Sequence, residues 1–354
     1  MNKTNQLTGL RFIAALLVFA SHSNWNNSNQ IFIRIFDSGY AGVSIFFMLS
    51  GFVLAHSYQE RIKNQRIDFQ KYYLLRIIRL TPLHFLCTGY FIILSIFANN
   101  FDPIKSIINL LYANSWVPSS YYYFSLNSPS WSLSNEMFFY LIFFPIILLK
   151  TRHIIFVLLL LGSVVFISAL YFSFNHVELK IFGEKSFSHW LFYIFPIFRS
   201  LEFILGIVYF RLWTKGYRLP GWLTWFSYLV LLMAMYFAPE VPLPIRLSIY
   251  FIPSVSLLFY SHLNHGTNIS KILSNRVFML LGSASFCFYL IHVEIINRTR
   301  PLLIAQDYSN THVFIINLSI TILLSILIYL FIETKIDTFL KNALKTHQST
   351  NTKN

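Results

Sequence analysis

Apolar positions along the chain come in long unbroken runs, separated by short polar or charged breaks. The runs fall at residues 7–25, 40–57, 83–98, 131–149, 154–174, 190–210, 222–238, 244–261, 277–297 and 312–332. Each is close to the roughly 20 residues that a helix needs to cross a bilayer. The pattern predicts an all-α fold, a polytopic bundle of about ten membrane-spanning helices. Residues 1–335 would form the membrane domain and 336–354 a short polar cytoplasmic tail. Lys71–Leu80 reads differently: at 100° per residue Tyr72, Arg76 and Arg79 share one face and Leu74, Ile77 and Ile78 the other. It is expected to lie as an amphipathic helix on the inner membrane surface. Residues 104–117 read as a weaker counterpart outside, followed by an aromatic loop with Tyr121, Tyr122 and Tyr123.

Composition narrows the class. Hydrophobic residues make up 56% of the 354 and charged ones only 11%, against about 25% charged in soluble domains. A soluble enzyme, a disordered chain and a disulfide scaffold are excluded. The net charge of +14 would hint at nucleic acid in a soluble protein. Here it reads as basic loops that set orientation, and no nucleic-acid partner is expected. With the N-terminus inside, seven basic residues fall outside: Arg34, Lys105, Lys180, Lys185, Arg246, Arg298 and Arg300. Arg199 lies within a span and the other nineteen of the 27 lie inside, so both termini are expected in the cytoplasm. The N-terminal run is not expected to be a cleaved signal, since Arg11 interrupts it. No long soluble domain is expected at either end. Cys87 and Cys287 sit in apolar runs and read as buried thiols. No metal-ligand spacing appears, so no metal is expected.

Charged groups inside such runs are costly and mark function by default. Arg11 and His22 are eleven residues apart, about 20° from eclipsed and about 16 Å along the axis. An anchor at one depth and chemistry at another fit that spacing; a snorkelling arginine and a packing histidine are the bland alternatives. Ser132 and Glu136 share a face at the start of the fourth run, where Glu136 reaches a depth similar to that of His22. A carboxylate there would orient the imidazole as a general base, and Ser132 would donate to a developing oxyanion. Arg76 and Arg79, one turn apart, suit a phosphate, or equally anionic lipid headgroups. Arg199 with Glu202 reads as an internal pair, and Glu333 as a partner for an inner arginine. Ser285, Tyr289 and His292 fall close to one face. Small residues in Gly39–Gly51 predict close helix packing. No Walker A loop, GxGxxG, HExxH or GxSxG elbow is present.

Seven stretches in order resemble the acyltransferase 3 family of integral membrane O-acyltransferases: Arg11 to His22; Gly42 to Phe52 (GVSIFFMLSGF); Arg76-Ile77-Ile78-Arg79 with Pro82; Trp131 to Glu136 with Phe139-Tyr140; Arg199 to Gly206 (RSLEFILG); Gly282 to His292; and Phe331-Ile332-Glu333. The last departs from the usual Glu-Arg-Pro, reading Glu333-Thr334-Lys335. The resemblance implies a multi-pass protein of the bacterial cytoplasmic (inner) membrane. It implies transfer of an acyl group, usually acetyl, from cytoplasmic acyl-CoA to a hydroxyl of a cell-surface or lipid-linked glycan such as O-antigen or exopolysaccharide. Acetyl-CoA would be a donor substrate, with no bound cofactor. The SGNH hydrolase-like domain that some members carry is expected to be absent, leaving this chain to finish transfer alone or with a separate protein. Combined with the residues, the expectation is CoA phosphates on Arg76 and Arg79, the donor arm passing Arg11, and His22 as base. Acyl-enzyme and direct routes both stay open, and Tyr121–Tyr123 would stack on sugar rings. The competing class is a secondary transporter or flippase, with a non-catalytic scaffold third.

Overall fold

A computed structural model describes residues 4–25, 29–175, 186–264 and 266–351, with side chains to residue 342. Lys3, Lys180, Lys185, Lys353 and the side chain of Lys345, used in the charge count, lie outside the described residues. All regular structure described is helical. The principal helices are α1 (Asn5–His22), α2 (Ala41–Lys63), α3 (Phe69–Phe97), α4 (Trp131–Leu148), α5 (Thr151–Phe174), α6 (Pro196–Thr214), α7 (Leu223–Phe237), α8 (Ile252–Ser261), α9 (Ser285–Ile304), α10 (Asn310–Ile328) and α11 (Thr334–Asn351).

Among the described residues, eight helical stretches are long and apolar enough to cross a bilayer. A ninth is the bent pair Arg276–Ser283 and α9, which meet at 64°. The 18-residue α1 falls outside that set because Asn5, Gln6, Arg11 and His22 dilute its apolar run. It nonetheless packs against α2 and α9 inside the bundle. Eight spans, or nine with the bent pair, stand among the described residues where about ten were expected.

α2 is buried around nearly its whole circumference, whereas α5 and α10 show only a narrow buried seam. The outward faces of α5 and α10 carry Phe156, Leu159, Ile167, Leu323 and Leu327, the apolar surface that lipid requires. α2 packs most extensively against α6. There the glycines of the Gly39–Gly51 stretch act as expected: a Cβ on Gly51 would lie 1.9 Å from the Phe203 carbonyl oxygen, and one on Gly42 2.4 Å from that of Ala14 in α1.

Lys71–Leu80 does not lie on the surface as expected. It is the first half of α3, which runs unbroken through Pro82. The polar face is absorbed by protein: Tyr72 is fully buried, Arg76 donates to the Tyr58 hydroxyl at 2.5 Å, and Arg79 pairs with Glu333. The outer segment 104–117 does contain a short helix, Pro103–Leu110, with Ile104 and Ile107 exposed and Ser106 and Asn109 buried. Other runs are broken where the pattern looked continuous. The sixth begins as a π-helical turn, Trp190–Ile194, and the eighth is split into Leu243–Ser248 and α8. A second π-helical turn, Tyr329–Glu333, joins α10 to α11, so the segment read as a polar tail is a helix that touches α3.

Candidate active site

Five helices converge on a cavity of about 130 Å³. α1 supplies Arg11; α3 supplies Arg76 and Arg79; α4 supplies Ser132, Glu136 and Tyr140; α9 supplies Ser285 and Tyr289. Val43, Phe46, Phe47, Val53 and Leu54 of α2 form its apolar wall. Helical periodicity makes this possible. Ser132, Glu136 and Tyr140 stand at i, i+4 and i+8 on one stripe of α4, and Arg76 and Arg79 stand one turn apart on α3.

Each polar group in the cavity has a defined setting. Glu136 Oε2 accepts from the Tyr140 hydroxyl at 2.5 Å. The Arg76 guanidinium lies 4.8 Å from the centroid of the Tyr58 ring whose hydroxyl it also meets. Arg79 is held from behind by Glu333, whose other oxygen accepts from the Cys287 thiol at 2.9 Å. Arg11 makes no hydrogen bond or ion pair among the described residues, although the charges of Arg79, Glu136 and Glu333 all act on it. The cavity thus holds three guanidiniums against one lining carboxylate, an excess of positive charge in an apolar setting. Ser132 Oγ donates to the Pro129 carbonyl at 3.0 Å, the back-bond of a first-turn serine. Ser132 also lines the cavity, beside Tyr289.

His22 ends α1 about 16 Å along the axis from Arg11. It is exposed there and does not line the cavity. Glu136 does not reach it, contrary to expectation; the carboxylate is turned to Tyr140. The neighbour of His22 is His292, buried in α9, with ring centroids 4.9 Å apart and His22 Nδ1 3.3 Å from His292 Nε2. His22 Nδ1 also lies 2.9 Å from the Val18 carbonyl oxygen, and His292 Nδ1 2.7 Å from that of Tyr289. Carbonyls only accept, so in both rings the proton sits on Nδ1. His22 Nε2 is left with a bare lone pair and no protein partner among the described residues.

The structure brings Arg11, Arg76, Arg79, Glu136, Ser132 and Tyr289 into one cavity, with His22 beyond it on the helix of Arg11; the sequence singled out each of them but set Glu136 beside His22 and Arg76 and Arg79 on a surface helix. Arg199 and Glu202 do pair, at 2.8 Å, and Ser44 joins them; they lie buried between α2 and α6 and do not line the cavity, although Arg199 sits behind its wall, 5.2 Å from the Phe47 ring centroid. Glu333 does meet an arginine, Arg79. Of the aromatic loop, Tyr123 is buried against His189, and Tyr121 packs under Lys105 and bonds Asp102. Tyr140 was missed as a partner although it lies four residues from Glu136. Tyr58 and Cys287 had no local signal, because their partners are distant in sequence.

A helical membrane bundle with charged groups converging inside it defines a class, a polytopic membrane protein with an intramembrane polar site. The chain belongs to the acyltransferase 3 family: the acyltransferase domain that defines the family matches residues 4–330. The acyltransferase MdmB of Streptomyces mycarofaciens is 32% identical over 84% of this chain and 80% of its own length. The peptidoglycan O-acetyltransferase OatA of Listeria monocytogenes is 25% identical over 93% of this chain and 55% of its own. The chain thus spans little more than half of that relative. No solved structure matches it.

Proposed function

We propose that this protein is a membrane O-acyltransferase that moves an acyl group, acetyl first among them, from an acyl-CoA on the cytoplasmic side to a hydroxyl of a cell-surface or lipid-linked glycan. One observation carries the reading: three guanidiniums line a cavity on the axis that leads to His22, whose Nε2 has no partner among the described residues. The phosphates of the donor would meet Arg11, Arg76 and Arg79, because guanidinium grips phosphate through charge-assisted, bidentate bonds. Arg11, with no hydrogen-bond or ion-pair partner among the described residues, is the most available of the three. Glu136, held by Tyr140, sets the local field around Arg11. The flexible thioester arm would rise between α1 and α9 past Tyr289 toward His22.

The acceptor hydroxyl would approach from the opposite membrane face. His22 Nε2 takes its proton as the oxygen attacks the thioester carbonyl. The carbon–oxygen bond forms, the carbon–sulfur bond breaks, and the thiolate leaves to be protonated. The excess of basic residues in loops at the arginine end supports a cytoplasmic placement of that end and of both termini. The test is label transfer from [14C]acetyl-CoA to glycan in membranes from expressing cells. Wild type should label glycan and His22→Ala should not. Undiminished labelling in both His22→Ala and Arg11→Ala would reject the assignment.

A further inference from the structure

We propose that His292 is the positioning residue for His22: its Nε2 lone pair receives the His22 Nδ1 proton, fixes the tautomer that leaves Nε2 bare, and shares the charge when His22 becomes imidazolium. The inference rests on the reading of His22 as general base. It replaces the carboxylate that sequence spacing had put in this role.

His292 is itself immobilised. It is 1% exposed, its Nδ1 donates to the Tyr289 carbonyl at 2.7 Å, and its ring stacks on Phe288 at 9° and tilts against Phe19. With Nδ1 committed as a donor, Nε2 can only accept. The group it faces is His22 Nδ1 at 3.3 Å. That proton is thereby shared between Val18 and His292, and the unprotonated nitrogen of His22 is turned to the open side. A neutral acceptor suits this place. The surroundings are Phe19, Phe288 and Phe314, where an unpaired carboxylate would carry a large desolvation cost while His22 is neutral. In the reaction the acceptor O–H proton passes to His22 Nε2. The oxygen pair forms the new ester bond, the thiolate leaves with the carbon–sulfur pair, and the proton ends on that sulfur. His292 touches none of these atoms and acts only through His22.

Two substitutions separate this role from simple packing. His292→Phe keeps the ring among Phe19 and Phe288 and removes the acceptor. His292→Gln loses the ring and restores an acceptor oxygen near the position of Nε2. Transfer from [14C]acetyl-CoA to glycan is measured in membranes from expressing cells, with His22→Ala alongside. The proposal expects kcat in His292→Phe to fall about 10- to 100-fold with KM for acetyl-CoA unchanged. It expects His292→Gln to recover to within about tenfold of wild type. Activity retained in His292→Phe, or lost in both variants, overturns it. Activity retained in His22→Ala would instead reject the base itself. A second readout needs no variant: 15N-histidine NMR of the wild-type protein should show His22 and His292 both protonated at Nδ1, and a His22 protonated at Nε2 overturns the proposal.

Discussion

Arg11 is the residue on which the anion site turns. A guanidinium in an apolar helix with no hydrogen-bond or ion-pair partner among the described residues is held by the fold at a desolvation cost, and a bound anion recovers it. Removing one charge-assisted contact costs about 1.5–3 kcal/mol, so Arg11→Ala should raise KM for the acyl-CoA donor about 10- to 100-fold; donor titration in membranes checks it. Glu333 should matter through Arg79. Glu333→Gln leaves the Arg79 cation without its counter-charge, and breaking such a pair costs about 3–5 kcal/mol. A lower thermal midpoint of the detergent-purified protein is the expected result. The charged residues of the site were legible in the sequence because charge stands out in apolar runs. Their partners were not: the bond from His22 to His292 spans 270 positions, and no helical spacing encodes which face of α9 meets α1. Glu136 was expected at the depth of His22, but it lines the cavity with Arg11 instead; counting residues from the start of a run does not fix the depth of a side chain when the helix start is uncertain.

At the scale of elements, the runs were legible and their junctions were not. Amphipathicity alone cannot say whether a polar stripe faces water or protein. In α3 the stripe of Tyr72, Arg76 and Arg79 found Tyr58 and Glu333, so the helix continues where a surface helix was expected. The π-helical turn at Tyr329–Glu333 adds a residue to one turn and ends with Glu333 on Arg79; π-bulges of this kind recur at functional sites. The contact of α2 with α6 tests the role of small residues. Gly51→Leu would drive a side chain into the backbone at Phe203, and overpacking costs about 1–3 kcal/mol or more. Gly89, with nothing within 4 Å of an added Cβ, is the control. Size-exclusion profiles and thermal midpoints should show loss of folded protein in Gly51→Leu and none in Gly89→Ala, which gains about 1 kcal/mol in helix propensity.

For the whole molecule, the account requires the arginine end to face the cytoplasm. Asn64 and Lys215 are exposed at that end, and Asn100 and Asp307 at the other. Cysteines placed at Asn100 or Asp307 should react with an impermeant maleimide in intact cells. Those at Asn64 or Lys215 should react only after the membrane is opened. The reverse pattern would put the anion cavity on the wrong side for a cytoplasmic donor.

The most direct test of the central claim, that an acyl group crosses from an arginine-held donor to an acceptor at His22, is transfer in sealed vesicles of defined orientation. In inside-out vesicles, [14C]acetyl-CoA added to the medium meets the arginine end while the His22 end faces the lumen. Wild type should label luminal glycan, and His22→Ala and the Arg76→Ala/Arg79→Ala pair should not. Label that appears equally in His22→Ala, or that requires donor on the luminal side, would contradict the account.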